Sequence, residues 1–339
     1  MADSPLSERI SAPATVHPSV HGLAWTPATL DDIDELTELQ RAIDAADHPN
    51  YAQTREEMEE DLSHSYLDLA VDSLVARDEH GVAVAYGLVE LSPGQETIVR
   101  SFLFGGVHPE HRGRGIGREL LAWQQSRALQ QLAGCPKTLP GWICGNADER
   151  APATARLLER SGFTATRWFI SQTRDLAQEI PDVDLPREIT LAPYSVELSD
   201  AIHAAKNAAF QDHWSSQPTT DEQWNSMVGL DTFRADHSSV ALAPDGSVAG
   251  FLITFVVEDD WKLQGFSSAY ISLLGVVREW RRRSIAPALL AHAMRSYRDA
   301  GYEMAELDVD SDNPSGALGL YTGMGFVEQH RSVSYVRVY

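Results

Sequence analysis

A glycine- and arginine-rich passage, GVHPEHRGRGIG, has the residue types and spacing of an anion-binding loop. Glycine lets a backbone approach a ligand closely, and the N–H groups at the start of a helix carry partial positive charge. Three alternating glycines and two flanking arginines lie where a strand-like run passes into a helical run: Gly113, Gly115, Gly117, Arg112 and Arg114. The passage therefore predicts a site that holds a pyrophosphate group.

Other phosphate-binding motifs match this passage less well. Its spacing is GxGxG, whereas a dinucleotide fold has GxGxxG and a later acidic residue that is not apparent here. The GK[ST] sequence of a nucleotide-triphosphate loop does not follow either. A surface turn that merely starts a helix is the alternative that requires no ligand.

The passage occurs twice in the chain. Residues 275–286, GVVREWRRRSIA, align with residues 106–117 without a gap, at an offset of 169 in a chain of 339 residues. A second echo lies downstream, where LLERSGF at 157–163 corresponds to LYTGMGF at 320–326. An internal repeat of this length predicts two copies of one domain.

The elements that would position these loops follow the same order in both halves. A strand and two helices precede two strands, a strand that enters the repeated passage, and then a helix, a strand, a helix and a strand. We therefore predict an α+β fold of two tandem domains, each a mixed, mostly antiparallel twisted sheet flanked by helices. The predicted boundaries are a disordered tail at 1–21, domains at 22–176 and 189–339, and a linker at 177–188.

The composition narrows the range of partners. A formal net charge of −22 disfavours nucleic acid, because a protein that binds the phosphate backbone needs positive charge. The negative field favours cationic small molecules, although it also confers solubility. Cys135 and Cys144 form no evident disulfide framework, and no metal-ligand cluster is apparent. Without an apolar run of ~20 residues or a signal-peptide core, we predict a cytoplasmic protein with no membrane partner.

The repeated passage resembles motif A of the GCN5-related N-acetyltransferases (GNAT), whose pattern is RxxGxG/A after a strand-ending valine. The first copy matches it fully, whereas in the second copy Arg281 and Ala286 match and Ser284 replaces a glycine. The later passage that ends in Gly-Phe resembles motif B of the same family. The resemblance covers nearly the whole chain and is strongest to tandem members of the mycothiol synthase type.

This resemblance implies that motif A holds the pyrophosphate of acetyl-CoA and that the preceding strand binds the pantetheine arm and thioester. An amine then attacks the thioester directly. That chemistry needs a base for the ammonium proton, donors for the oxyanion and an acid for the thiolate. The implied cofactor-binding residues are Val107, Arg112, Gly113, Arg114, Gly115, Ile116 and Gly117 in the first copy, and Leu274, Val276, Arg281, Arg282, Arg283, Ser284, Ile285, Ala286 and Asn313 in the second.

The two copies differ at the position of the general acid. Tyr321 stands where the family carries this acid, and Leu158 occupies the matching position of the first copy. A phenol of pKa ~10 suffices to protonate a thiolate whose thiol has a pKa of ~8.5. A core aromatic on a short helix is the alternative reading of Tyr321. Asn313 is expected to cap that helix or to reach the cofactor.

Ser284 raises a question about the second loop. If the loop needs a positive φ at this position, serine costs about 1 kcal/mol or more. If it needs only a small residue, the serine N–H serves as well as that of glycine. We expect the second case, because Arg281, Arg282 and Arg283 supply ample positive charge, and we expect the C-terminal copy to be the active one.

The base and the acceptor site are predicted from loops and strand ends. Glu258, expected at the end of a strand, is the candidate base, and Glu90 is its approximate counterpart in the first half. An exposed strand-end acid is the alternative for both. His213 and Trp214 are candidate acceptor contacts between two helices, and Tyr270 flanks an inserted loop that would close over the acceptor.

The sequence thus predicts a metal-free N-acetyltransferase that transfers acetyl from acetyl-CoA to a primary amine of a small molecule, with the C-terminal domain catalytic. One alternative is that the N-terminal copy is the active one. Another is a non-catalytic acyl-CoA sensor or scaffold.

Overall fold

The computed structural model describes residues 4–48, 50–313 and 316–339, and its contacts divide the chain into two compact units. Unit 1 comprises Met1–Arg167 and Ser332–Tyr339, and unit 2 comprises Trp168–Arg331. Each unit contains one copy of the repeated passage. The predicted α+β architecture with a mixed sheet flanked by helices is confirmed in both.

The helices and strands are numbered along the chain. The helices are α1 (Leu6–Arg9), α2 (Ile33–Asp47), α3 (Arg55–Ser63), α4 (Leu69–Asp72), α5 (Ile116–Ala133), α6 (Pro152–Arg160), α7 (Ser199–Ala209), α8 (Asp221–Gly229), α9 (Glu258–Gln264), α10 (Ile285–Asp299) and α11 (Ala317–Gly323). The strands are β1 (Ala24–Thr26), β2 (Ser73–Arg77), β3 (Ala83–Glu90), β4 (Val99–Val107), β5 (Gly141–Asp148), β6 (Thr164–Asp175), β7 (Thr190–Pro193), β8 (Ser239–Leu242), β9 (Val248–Phe255), β10 (Ser268–Val276), β11 (Met304–Asp310) and β12 (Val327–Val338).

The sheets of the two units have the same topology. In unit 1 the strand order is β1-β2-β3-β4-β5-β12, and in unit 2 it is β7-β8-β9-β10-β11-β6. The pairs β4–β5 and β10–β11 are parallel, whereas the other neighbouring strands in each unit are antiparallel. The parallel pair lies next to the repeated loop in each case.

The sixth strand of each sheet comes from the other half of the sequence. Residues 332–338 of β12 pair with β5 in unit 1, and residues 169–175 of β6 pair with β11 in unit 2. The compact units therefore differ from the predicted domains, which kept the last strand of each half in its own domain. A strand's residue pattern specifies that it is a strand but not which edge it joins.

The predicted tail and the predicted linker both contribute buried residues to a core. Residues 4–21, predicted as part of a disordered tail, include α1, whose Leu6 is fully buried in the core of unit 1. The backbone N–H of Leu6 donates to the carbonyl of Lys137 at 2.9 Å. The predicted linker at 177–188 lies within unit 2, where Ile180 is buried.

Each sheet is covered on both faces because its central strands are apolar on both sides. In β3, Ala85 and Val89 join the core beneath α5, whereas Tyr86 and Leu88 join the core beneath α2. In unit 2, α10 covers one face of β9 and α7 covers the other. The helix that follows the repeated loop is thereby fixed against the sheet by its buried residues.

Candidate active site

The parallel strands β10 and β11 of unit 2 part along their length. They pair from Ser268 opposite Met304 to Tyr270 opposite Glu306, and the ladder ends there although β10 continues to Val276. On its other edge β10 remains paired with β9, with a bulge between Ile271 and Leu273. The edge of β10 that faces β11 therefore offers backbone groups to an extended ligand from Ile271 onward.

Unit 1 has the same arrangement. Its strands β4 and β5 pair from Val99 opposite Gly141 to Phe102 opposite Cys144, while β4 continues to Val107. The predicted pantetheine-binding residues lie on the parted segments: Val107, Leu274 and Val276.

The repeated loops have the same backbone conformation in both units. Gly113 and Gly115 have φ of 76° and 87°, and Arg282 and Ser284, their counterparts, both have φ of 60°. The expectation that position 284 needs only a small residue is wrong, because Ser284 adopts a left-handed conformation as the N-cap of α10. Each of these two residues costs about 1 kcal/mol relative to glycine.

The strained residues indicate that the surrounding structure of unit 2 imposes this loop conformation. Non-glycine residues with a positive φ persist where the surrounding structure imposes that conformation, and they concentrate at ligand sites. The buried Ile285 anchors the first turn of α10, as Ile116 anchors α5. The small residues Gly117 and Ala286 follow in the first turn of each helix. The first N–H groups of a helix have no intrahelical partner, so they are available to a ligand at the loop.

The first arginine of each motif acts as a brace for this loop. In unit 2, Arg281 donates from Nε to the Val276 carbonyl at 3.2 Å and from Nη2 to the Ala209 carbonyl at 2.8 Å. Its Nη1 pairs with Asp212 at 2.9 Å. The guanidinium thus ties the loop to the end of β10 and to the end of α7, and Asp212 compensates its charge.

Arg112 makes the equivalent contacts in unit 1. Its Nε donates to the Val107 carbonyl at 3.0 Å, and its two Nη atoms bind the Asp47 carboxylate at 2.7 and 3.0 Å. Arg114 and Arg282, which lie beside the motif arginines, have exposed side chains. Arg283 is also exposed and stacks on the Trp280 ring at 4.7 Å.

Tyr321 lies on α11, against the core of unit 2. Its side chain is 8% exposed, and its ring contacts Phe326 edge-on at 5.9 Å between centroids. Burial raises the pKa of the Tyr321 phenol to about 12. Among the described residues its hydroxyl has no hydrogen-bond partner. Leu158 in unit 1 is also buried, and it packs against Gly145.

Asn313 lies in the turn between β11 and α11 and is not the cap of that helix. The N-cap is Gly316, with φ of 77°, and the helix begins at Ala317. The Asn313 N–H donates to the Asp310 carbonyl at 3.1 Å, and its own carbonyl accepts from Gly316 at 3.2 Å. The expected capping role is therefore wrong, because the turn is longer than the sequence pattern indicates.

Sequence reasoning missed a row of carboxylates on β11. Residues Ala305, Leu307 and Val309 are buried in the core, so the alternating residues Glu306, Asp308 and Asp310 share the opposite face. The period-two pattern of MAELDVD is the signal that predicts this row. Tyr270 shares the face, because its neighbours Ala269 and Ile271 are in the core.

These side chains form a hydrogen-bonded group where β10 and β11 part. The Tyr270 hydroxyl donates to Asp308 Oδ2 at 3.0 Å, and the Ser171 hydroxyl donates to Asp308 Oδ1. Gln264 Nε2 of α9 donates to Glu306 at 3.0 Å. Desolvation raises the pKa of Glu306, and desolvation followed by the charge of Asp308 raises the pKa of Tyr270 well above its usual value.

The corresponding face of unit 1 is largely neutral. Because of the bulge in β10, Tyr270 opposite Phe255 corresponds to Phe102 opposite Glu90, and Ala305 corresponds to Ile143. The counterparts of the carboxylate row are Cys144 for Glu306, Asn146 for Asp308 and Asp148 for Asp310. The Ser334 hydroxyl donates to Asn146 at 2.7 Å, as Ser171 does to Asp308.

The predicted acceptor contacts His213 and Trp214 lie in the segment that follows α7. Burial lowers the pKa of His213, and the charges of Asp310, Arg281 and Asp212 also act on it. Its ring also contacts Phe210 at 4.4 Å between centroids. Trp214 follows in the same segment and is half-buried.

Glu258 is the exposed first residue of α9. The expected strand ends earlier, at Phe255, and the expected inserted loop is this helix. Glu90 corresponds to Phe255 rather than to Glu258. The structure therefore brings Tyr270 to the site but assigns Glu258 to a neighbouring helix.

The described ranges contain no group of three or more His, Cys, Asp or Glu side chains arranged to hold a metal ion. No helix in those ranges is long and apolar enough to cross a membrane.

Each unit has parallel strands that separate, a loop with left-handed residues and a helix that follows this loop. These features define the class of the protein, and two family models match the same class. The acetyltransferase (GNAT) family matches residues 199–326, and an acetyltransferase (GNAT) domain matches residues 70–165. The chain belongs to the GNAT acetyltransferases and is a tandem member with two such domains. It is an acyl-CoA-dependent acetyltransferase.

Curated relatives make the comparison more specific. The chain is 31% identical to the mycothiol acetyltransferase of Nocardiopsis dassonvillei over 277 residues, which cover 76% of this chain and 79% of that one. It is 28% identical to the mycothiol acetyltransferase of Frankia alni over 362 aligned residues, which cover 99% and 98%.

Solved structures share the fold over nearly the whole chain. A GCN5-related N-acetyltransferase from Sphaerobacter thermophilus matches with a TM-score of 0.70 and 24% identity, covering 94% of this chain and 96% of that one. A tandem GNAT protein from the clavulanic acid biosynthesis pathway matches with a TM-score of 0.68 and 17% identity, covering 93% and 98%.

Proposed function

We propose that unit 2 is the catalytic copy and that it transfers acetyl from acetyl-CoA to a primary amine of a small molecule, while unit 1 does not turn over. The observation that carries this proposal is that unit 2 has a phenol and a carboxylate where unit 1 has neither: Tyr321 and Asp308 occupy the positions that correspond to Leu158 and Asn146 in unit 1. A leucine and an amide can neither protonate a thiolate nor accept an ammonium proton.

The backbone of unit 2 would bind the cosubstrate. The N–H groups of residues 282–286 and the N-terminus of α10 would hold the pyrophosphate, helped by the exposed Arg282 and Arg283. The pantetheine arm would extend along the free edge of β10, past Val276 and Leu274. This path delivers the thioester to the bulge, near Tyr270 and Asp308.

The side chains would then move the protons. Asp308 would take a proton from the ammonium group, and the free amine would attack the thioester carbonyl. As the new C–N bond forms and the C–S bond breaks, Tyr321 would donate its proton to the thiolate. Its raised pKa keeps the phenol protonated at neutral pH, so the acid is available. The net result is one amide and one free thiol.

One observation supports a small acceptor. The relatives are mycothiol acetyltransferases, whose name states a small-molecule substrate. His213, Trp214 and Tyr270 would contact the acceptor. Glu258, at the start of α9, is a second candidate for the base.

Replacement of Tyr321 by phenylalanine tests the proposal. Tyr321→Phe keeps the ring and removes only the hydroxyl, which has no partner in the described part of the chain, so stability should change by less than ~1 kcal/mol. We expect kcat to fall by roughly 100-fold or more, measured as thiol release from acetyl-CoA with a library of amines.

The matched control is Tyr335→Phe, which removes the phenol of a buried tyrosine in unit 1 and should leave kcat within about twofold. Unchanged turnover in Tyr321→Phe would assign catalysis elsewhere, in the first instance to unit 1. Tight acyl-CoA binding with no thiol release for any amine would instead support a sensor or scaffold.

A further inference from the structure

A buried arginine of β6 holds the C-terminal end of α11, the helix that carries Tyr321. We propose that this residue, Arg174, is a positioning residue that sets the location of the Tyr321 phenol for proton transfer. The proposal rests on the proposed function of unit 2, because it concerns the acid of the same site. Arg174 would act through the helix and would not touch the reacting atoms.

Tyr321 has a defined place in the turn that ends α11. The N–H of Phe326 donates to the Tyr321 carbonyl at 3.0 Å, and the N–H of Gly325 donates to the Thr322 carbonyl at 3.0 Å. Gly325 has a φ of 87°. These are the two hydrogen bonds and the left-handed residue of a Schellman motif, with Met324 as the C-cap. A group that fixes this turn therefore also fixes the backbone of Tyr321.

The guanidinium of Arg174 binds this turn. Its Nε donates to the carbonyl of the C-cap residue Met324 at 2.9 Å. Its Nη2 donates to the carbonyl of Glu179 at 2.7 Å, and its Nη1 donates to the carbonyl of Asp175. The positive charge thus lies at the end of the helix where unpaired carbonyls concentrate negative charge. The turn is thereby tied to β6 and to the segment that follows it.

Close packing around Arg174 restricts the turn further. The side chain of Arg174 is 3% exposed. A Cβ atom at Gly325 would lie 2.6 Å from Arg174 Nε, so glycine is required there for space as well as for its φ. Arg174 forms no ion pair with any described residue, and burial of a charge that only neutral groups bind is costly. Its presence indicates a role that an apolar side chain could not fill.

The N-terminal end of α11 lacks a comparable contact. The helix has only seven residues, and a helix of this length is not stable without contacts to the rest of the protein. Its N-cap is Gly316, which has no side chain to bind the first N–H groups. Among the described residues, Arg174 is the only side chain of another element that hydrogen-bonds to the backbone of α11 or its caps.

Unit 1 contains a looser form of the same contact. Arg337 of β12 has the register position that Arg174 has in β6. Its Nη1 donates to the carbonyl of Ser161, the C-cap of α6, at 3.3 Å. Arg337 is half-buried, and its nearest atom would lie 3.6 Å from a Cβ at Gly162. The tighter contact therefore occurs in the unit that has Tyr321.

Replacement of Arg174 by methionine, an uncharged side chain of similar length, tests the proposal in the full-length protein. We expect kcat for thiol release from acetyl-CoA to fall by about 10-fold or more, because a small displacement of the acid weakens proton transfer to the thiolate. The KM values for acetyl-CoA and for the amine should change by less than about threefold, because binding is not affected. Arg174→Lys, which keeps the charge and a donor, should recover part of kcat.

Arg337→Met is the matched control. It removes the equivalent arginine from unit 1, and it should leave kcat within about twofold whatever its effect on the thermal midpoint.

A double variant separates positioning from folding. If Arg174 acts through the phenol, Arg174→Met should change kcat by less than about twofold in a protein that already carries Tyr321→Phe. A general loss of folded protein would instead lower kcat by the same factor with and without the phenol.

The outcomes distinguish this inference from the proposed function. A fall in kcat that depends on Tyr321 supports the inference. An unchanged kcat in Arg174→Met, an equal fall in both backgrounds or an equal fall in Arg337→Met overturns it, and the proposed function stands if Tyr321→Phe is impaired. If Tyr321→Phe keeps full turnover, the proposed function fails and the inference fails with it. If Arg174→Met does not fold, the same comparisons with Arg174→Lys decide the question.

Discussion

Unit 1 and unit 2 share their backbone and differ in their chemistry. Both have a parallel pair of strands that part, a loop with two left-handed residues and an arginine that braces this loop. They diverge at the side chains beside the opening, where Phe102, Cys144 and Asn146 in unit 1 replace Tyr270, Glu306 and Asp308. The backbone that would bind the cosubstrate is thus retained in both copies, whereas the side chains proposed to act on the acceptor are present in one.

The repeated loops of the two units also differ in their residues. Unit 1 has glycine at both left-handed positions, and unit 2 keeps the conformation with Arg282 and Ser284 despite the cost. A favourable motif sequence and a complete set of reactive side chains therefore occur in different units. The better match to motif A therefore accompanies the less strained loop, whereas the proposed catalytic side chains lie in the other unit.

We expect the largest effect when Asp308 is replaced by asparagine, the residue at the corresponding position of unit 1. Asp308→Asn preserves shape and removes the charge, and we expect kcat/KM to fall by roughly 100-fold because the ammonium proton loses its acceptor. Steady-state thiol release measures this. Ser171→Ala, which removes a hydroxyl from the same carboxylate, should cost much less. If Glu258→Gln proves more damaging than Asp308→Asn, the base lies on α9.

An intermediate effect should follow from exchanging the loop residues. We expect Ser284→Gly to stabilise the protein by about 1 kcal/mol and Gly115→Ser to destabilise it by a similar amount, because a left-handed conformation is unfavourable for residues with a Cβ. Chemical denaturation of both variants measures the difference. Destabilisation by Ser284→Gly would show that the serine side chain contributes an interaction of its own.

The smallest effect concerns pH. The raised pKa of Tyr321, about 12, means that the phenol keeps its proton well above the pH at which an ordinary tyrosine, of pKa ~10, is half ionised. We therefore expect kcat to stay level between about pH 8 and about pH 10. A pH–rate profile measures this. A fall centred near pH 10 that disappears in Tyr321→Phe would show that the phenol titrates normally.

Much of the fold follows from patterns that are local in sequence. The repeat, the order of elements, and the loop with its helix are all visible in the residues, because periodicity and glycine spacing are local properties. The family assignment from the two motifs is confirmed by the family models and by the relatives.

What the sequence did not reveal depends on contacts between distant residues. The motif identified Arg112 and Arg281 as cationic, but their pairing with Asp47 and Asp212 requires the end of a helix to approach the loop. The alternation in MAELDVD was visible, yet its meaning depends on which face the core covers. The φ of Ser284 is set by the surrounding loop and not by the serine itself.

The exchange of sixth strands has a consequence for synthesis on the ribosome. Domains generally fold in the order in which they emerge, but the sheet of unit 1 cannot be completed until β12 has followed the whole of unit 2 out of the exit tunnel. Until then the edge of β5 is open, and Gly141 lacks the Tyr339 backbone with which it exchanges two hydrogen bonds. Unit 2 is a continuous segment and can complete its sheet first, so the first unit to begin synthesis is the last to be completed.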